Sequence, residues 1–122
     1  MQLQGLLVSL IEASGKKSFL NDHRKLGSFF YNAYKNPKTS DLFENVFFID
    51  TLGYPSSNQL DDAIRLLQLT GVIGRPNPIY LTNTINLTHV DVDRIPFTSP
   101  EEKQKFVHLL NAFKKELCHD GE

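Results

Sequence analysis

The stretch SSNQLDDAIRLLQLTGVIGRPNPIYLT, residues 56–82, decides how the rest of the chain is interpreted. A helix is predicted over residues 57–70, because apolar residues recur there at helical spacing. Ser56 is the predicted N-cap, with a capping-box partner in Gln59, and Gly71 supplies the left-handed residue after the last turn. The apolar stripe that this helix should bury consists of Leu60, Ala63, Ile64 and Leu67.

A short β-hairpin is predicted directly after this helix. Val72 and Ile73 form its first strand, and residues 79–81 form its second. The turn between them, residues 74–78, contains a glycine and two prolines, which cannot continue a helix. A further extended segment or third strand is expected within residues 83–95, where apolar and polar residues partly alternate.

Four more helices are predicted from apolar periodicity and from capping residues. The last of them, residues 99–118, has Ser99 as its cap and Pro100 at its first position. Its seam of Phe106, Leu110, Phe113 and Leu117 suits packing against one partner helix, either the first helix of the same chain or a second copy of the protein. The other three cover residues 2–13, residues 22–35 with Asn21 or Asp22 as the cap, and residues 41–50.

These elements predict a mainly helical α+β chain of one domain, residues 1–122, with a core over residues 2–95 and an added C-terminal helix. The hairpin region resembles the winged-helix pattern, in which a helix with a glycine after its last turn leads through two apolar residues, a turn and a strand that ends in Leu-Thr. The residues that carry this resemblance are Leu67, Gly71, Val72, Ile73, Leu81 and Thr82. The resemblance implies a winged-helix-like domain with a short wing.

A second resemblance concerns the small middle components of bacterial three-component ATPase systems. It lies in the segment from Leu26-Gly27-Ser28 to Lys-Thr-Ser-Asp-Leu-Phe-Glu, residues 38–44, and in residues 63–73. It implies a non-catalytic subunit that bridges an ATPase and an effector.

Composition limits the function classes. The chain has one cysteine, Cys118, which excludes an internal disulfide and favours a reducing cytoplasm. Residues 1–13 have neither the basic start of a signal peptide nor an unbroken membrane span, so no membrane association is expected. No phosphate, dinucleotide, thiol or zinc motif occurs, which favours a protein that is not an enzyme and has no cofactor. His89, Asp91 and Asp93 on one face of a strand form either a solvated surface or a metal site.

Charge is segregated along the chain although the net charge is only −1. Residues 15–38 hold six basic residues against one acidic residue, a net +5, and residues 41–62 hold five acidic residues and no Lys or Arg. The basic group forms, with Arg75 in the hairpin turn, a candidate nucleic-acid surface. Its members are Lys16, Lys17, Arg24, Lys25, Lys35 and Lys38.

The helix predicted over residues 57–70 carries two carboxylates, Asp61 and Asp62, at positions where a DNA-reading helix would meet phosphates. These carboxylates disfavour that mode of DNA binding. A protein partner is therefore favoured, with a DNA-binding regulator as the alternative. The candidate partner-binding residues are Asp61, Asp62, Arg65, Phe106 and Phe113.

Overall fold

The computed structural model describes residues 2–50, 53–74 and 82–119. The protein is α+β and mainly helical, as predicted. Its elements are α1 (Leu3–Ser14), β1 (Ser18–Leu20), α2 (His23–Lys35), α3 (Asn58–Leu69), β2 (Ile73–Gly74), β3 (Thr82–Ile85), α4 (Pro100–Glu116) and β4 (Cys118–His119), with short 3-10 turns at Ser40–Leu42 and Val92–Arg94. None of these described helices is long and apolar enough to cross a membrane.

The core is built around α1, which packs against both α3 and α4. Leu6, Leu7 and Leu10 are fully buried on α1, because its apolar stripe is wide enough to contact both helices. Large aromatic side chains fill the remaining space. They come from β1, α2 and α4 and are Phe19, Phe30, Phe106 and Phe113.

Four short antiparallel strands form one sheet in the order β2-β3-β1-β4. Ile73, predicted in the first strand of the hairpin, pairs with Ile85 of β3, which lies beyond the predicted second strand of residues 79–81. Residues 75–81, most of the predicted turn and second strand, lie outside the described residues. The central strand β1 has three residues, too few to show the alternation from which strands are predicted.

The helix predicted over residues 41–50 is wrong. Beyond the 3-10 turn residues 46–50 are extended and not helical, and we call residues 43–50 and 53–57 the α2–α3 connection. Within it Val46 and Phe48 turn inward while Phe47 and Ile49 face solvent, which is the two-residue period of an extended chain. β-Branched and aromatic side chains favour this conformation over a helix.

The start of α3 differs from the prediction by one residue. Ser57 caps the helix, because its Oγ accepts the N–H of Leu60 at 3.3 Å and donates to Gln59 Oε1 at 3.0 Å. Ser56 instead belongs to the extended chain, where it exchanges two backbone hydrogen bonds of 2.8 Å with Ile49. Asp22 and Ser99 cap α2 and α4 as predicted.

The segment after β3 does not continue as a strand. Strand β3 ends at Ile85, and the chain then crosses to the last turn of α1. There the N–H of Val90 and Nδ1 of His89 each lie 3.0 Å from the carbonyl oxygen of Glu12. A carbonyl at the end of a helix lacks an intrahelical partner, so this crossing satisfies the C-terminus of α1.

Candidate functional site

Helix α3 has one buried face and one face that remains apolar although it is exposed. The predicted stripe of Leu60, Ala63, Ile64 and Leu67 is buried. On the outer face Leu66 is 41% exposed and Leu69 is 78% exposed. The exposed face of a helix normally carries polar residues, so two leucines in this position are unusual.

Two further large apolar side chains are exposed on the α2–α3 connection. Phe47 is 66% exposed and Ile49 is 52% exposed, and no other described residues join the two α3 leucines among the large exposed apolar side chains. The backbone N–H of Phe47 donates to Gln59 Oε1 at 3.4 Å, which places Phe47 beside the first turn of α3. Phe47 thus adds an exposed ring near the N-terminal end of α3, whereas Ile49 lies on the side of α3 that faces α2.

A groove of about 410 Å³ lies beside this surface. Its walls are the start of α1, the α2–α3 connection and the outer face of α3. Leu3, Val46, Ala63 and Leu66 give it an apolar lining, and the remaining lining residues are polar or acidic: Gln2, Gln4, Glu44, Asn45, Gln59 and Asp62.

The wall that the connection contributes is held at both ends by backbone contacts. Gln2 and Glu44 form a parallel β-bridge, and Ile49 pairs with Ser56 at the other end. Between them Asn45 has φ 54°, the left-handed conformation that asparagine tolerates better than most residues. The bridge between Gln2 and Glu44 therefore joins the two groove walls that α1 and the connection contribute.

The two carboxylates predicted as one partner-binding pair point to different sides of α3. Oδ1 of Asp61 faces α2, where it lies 3.4 Å from Nδ1 of His23. Asp62 lines the groove, and its Oδ1 lies 3.6 Å from Nη1 of Arg65 one turn along the helix. Of the predicted residues on this helix, Asp62 is the one that lines the groove.

The six predicted basic residues do not form one continuous patch. Lys16 and Lys17 lie in the turn between α1 and β1, and Lys38 follows α2. Arg24 and Lys35 share one face of α2 but are eleven residues apart, roughly 16 Å along the axis. Lys25 is exposed in the first turn of α2, and Arg75 lies outside the described residues.

Both cations on that face of α2 cover aromatic rings. The guanidinium of Arg24 lies 5.5 Å from the ring centroid of Tyr54, and Nζ of Lys35 lies 5.4 Å from that of Tyr31. Tyr31 also packs against Phe48 of the connection. These rings are thus occupied by contacts within the chain, and they are not open faces on which nucleic-acid bases could stack.

Phe106 and Phe113, predicted as partner-binding residues, lie in the core. Both are fully buried, and the ring of Phe113 contacts Phe19 and Phe29 at centroid distances of 5.7 and 6.2 Å. The apolar seam of α4 is therefore used inside the chain, where α4 packs against α1. A homodimer through this seam would require the core to open, so we do not propose one.

His89, Asp91 and Asp93 each have contacts that explain them without a metal. His89 contacts the end of α1, and Asp91 accepts the N–H of Asp93 at 3.2 Å. Nζ of Lys103 lies 2.5 Å from Oδ1 of Asp93. The hydrogen bond from Lys103 and its positive charge hold the pKa of Asp93 below its ordinary value. In the described part of the chain, no group of three His, Cys, Asp or Glu residues could hold a metal ion.

The sequence reasoning missed Leu66, Leu69, Phe47 and the groove. A signal for the two leucines was present, because the buried stripe of α3 was already complete without them. A leucine outside a complete stripe is a candidate for a surface contact. The groove had no such signal, since it depends on the extended course of the α2–α3 connection.

Comparison with known proteins adds no relative: no family model, curated protein or solved structure matches this chain.

Proposed function

We propose that this protein is a non-enzymatic protein-interaction module of winged-helix type that serves as a small subunit of a cytoplasmic complex. One observation carries the proposal: the outer face of α3 combines exposed Leu66 and Leu69 with an adjacent groove. Burial of exposed apolar side chains is the main favourable contribution to most protein association.

The order of elements supports the winged-helix part of the proposal. Three helices, with β1 between the first two and the β2–β3 hairpin after the third, follow one another as they do in winged helices. The hairpin strand β3 pairs with β1, which ties the wing to the helical part. The proposal assigns the residues between β2 and β3 in the sequence to the wing, and α4 and β4 are additions to this plan.

The surface also fits the subunit role that the resemblance to three-component ATPase systems implies. A bridging subunit must contact other proteins, and it needs no catalytic group of its own. The outer face of α3 offers an apolar contact surface with a carboxylate, Asp62, at its edge. Interface centres are typically apolar and their rims polar.

Duplex DNA binding through α3 has less support. The outer face of this helix carries Asp62 and two leucines, and the one basic residue of the helix, Arg65, lies 3.6 Å from the Asp62 carboxylate. A carboxylate at the phosphate backbone is repelled, and leucines cannot donate hydrogen bonds to base edges. The dispersed basic residues lie on other elements.

The double substitution Leu66→Glu with Leu69→Glu tests the proposed function. We expect it to abolish capture of protein partners from a lysate of the native host, because two charges would have to be buried in the interface. Its free energy of unfolding should stay within about 1 kcal/mol of the original, since both side chains are exposed. The measurement is quantitative mass spectrometry of affinity-captured proteins, combined with thermal unfolding.

The matched control is Gln104→Glu with Asn111→Glu, two exposed positions on α4. It adds the same charge away from the proposed surface, and capture should persist. If the α3 variant retained every partner of the original protein, α3 would not be the interaction surface and the proposal would fail.

A DNA titration tests the alternative. We expect fluorescence anisotropy with random-sequence duplex DNA to show no binding tighter than the non-specific range, about 10⁻⁶ to 10⁻⁴ M at physiological salt. Specific or tighter binding that falls steeply with salt, and that is lost with Arg24→Glu and Lys25→Glu, would replace the interaction module with a DNA-binding regulator.

A further inference from the structure

We infer that the groove beside α3 binds a basic amphipathic helix of a partner protein. This inference rests on the proposed function and specifies the chemistry of the partner. It is carried by three properties of the site: the charge of the groove, the composition of its lining, and the length of the groove along α3.

The charge of the groove favours a cationic partner. Glu44 and Asp62 both line it, and none of the described residues that line it is Lys, Arg or His. The contact of Asp62 with Arg65 is made between side chains that are 73% and 70% exposed, so solvent weakens it. A partner ammonium or guanidinium at the rim would gain charge attraction, whereas a carboxylate would be repelled.

The lining favours a partner with apolar side chains as well. Leu3, Val46, Ala63 and Leu66 line the interior between the polar edges. A fully polar peptide would leave this apolar surface without a complementary contact. A partner with apolar residues facing inward and Lys or Arg at the sides matches both the lining and the rim.

The extent of the groove along α3 favours a helix over a small molecule. Its lining on this helix runs from Gln59 to Leu66, and Leu69 is exposed one turn further along. Seven residues of α-helix span about 10 Å, or roughly two turns. An apolar stripe at positions i, i+3, i+4 and i+7 of a second helix covers a comparable length, and ridges on α3 offer grooves for its side chains.

Three synthetic peptides of about 14 residues test this inference. The first places leucines on one helical face and lysines elsewhere, the second replaces each lysine with glutamate, and the third has the composition of the first in an order that removes the apolar face. Each is labelled with fluorescein and titrated with the full chain in anisotropy measurements at low and moderate salt. The first peptide should bind at least tenfold tighter than either control, and salt should weaken it.

Single substitutions locate the binding. Leu66→Glu should weaken binding of the first peptide at least tenfold, and Asp62→Lys should weaken it several-fold and reduce its dependence on salt. Asp91→Lys is the matched control, because Asp91 is exposed and follows the crossing at the C-terminal end of α1, whereas the groove lies at the N-terminal end. Circular dichroism checks that each variant is folded.

The outcomes separate this inference from the proposed function. Equal binding of the lysine and glutamate peptides, or unchanged peptide binding by the Leu66→Glu variant, would overturn the inference that the groove binds a basic helix. The interaction module would still stand if Leu66→Glu with Leu69→Glu abolished partner capture. If light scattering showed a dimer that Leu66→Glu dissociates, the occupant would be a second copy of the chain, which would also overturn the inference. Failure of both peptide binding and partner capture would remove both proposals.

Discussion

Phe113→Ala is expected to lower the free energy of unfolding by about 4 kcal/mol, the typical cost of emptying the site of a buried phenylalanine. The ring is fully buried on α4 and contacts Phe19 of β1 and Phe29 of α2, so its loss leaves a cavity where three elements meet. Chemical denaturation monitored by circular dichroism measures this change. Because small domains are stable by only about 5–15 kcal/mol, the variant should be close to unfolding at physiological temperature.

Phe47→Ala is the matched control for this substitution. It removes the same side chain from a position that is 66% exposed, and the free energy of unfolding should change by less than about 1 kcal/mol. The pair also tests the assignment of α4. If Phe113→Ala left stability unchanged but altered the oligomeric state, the seam of α4 would be an intermolecular contact and the described core would be wrong.

Gly27→Ala should destabilise the protein by about 3 kcal/mol, although alanine is the better helix former. Gly27 lies inside α2, and a Cβ added there would be 2.1 Å from the carbonyl oxygen of Pro55 in the α2–α3 connection. That atom belongs to the backbone, so the connection would have to move away from α2. The shift in the denaturation midpoint gives the measured loss.

Gly5→Ala provides the opposite control within the same chain. Gly5 is an exposed position of α1 with no atom within 4 Å of the Cβ that alanine would add. This substitution should raise the free energy of unfolding by up to about 1 kcal/mol, the difference in helix propensity. A stabilising effect of both substitutions would show that α2 and the connection do not pack as closely as described.

All four α-helices were predictable because each has apolar residues at helical spacing, and three of them have a capping side chain that marks the start. Ser99 and Pro100 at the start of α4, and Asp22 before α2, are local signals that need no tertiary contact. The buried stripe of α3 was predicted residue by residue. These features are determined by residues within one or two helical turns of each other, and such local patterns can be read directly from the sequence.

The connection and β1 were not predictable in the same way. Residues 41–50 contain apolar residues at spacings that suit a helix, but also β-branched and aromatic residues that favour an extended chain. Contacts with α2 and with Gln2, and the pairing of Ile49 with Ser56, favour the extended course between these two local preferences. Strand β1 is defined by its partners β3 and β4, which lie far along the chain. Tertiary contacts therefore override or create structure that local patterns do not indicate.

The candidate site was only partly predictable. Of the predicted partner-binding residues, Asp62 lines the groove, whereas Phe106 and Phe113 lie in the core. A heptad-like seam has the same pattern whether its partner helix is in the same chain or another one. The groove itself combines residues from three separate segments, so no single segment contains its signature.

The position of β1 in the sheet has a consequence for how the protein is made. Its neighbours are residues 82–85 and 118–119, and the N–H of Leu20 donates to the carbonyl of Leu117 at 2.8 Å. During translation β1 and the leucines of α1 emerge well before α4 and β4. Their apolar side chains therefore stay exposed until α4 and β4 have been synthesised. Native structure should therefore form late in synthesis, and a ribosome stalled before α4 has emerged should hold a nascent chain that is sensitive to proteases and attractive to chaperones.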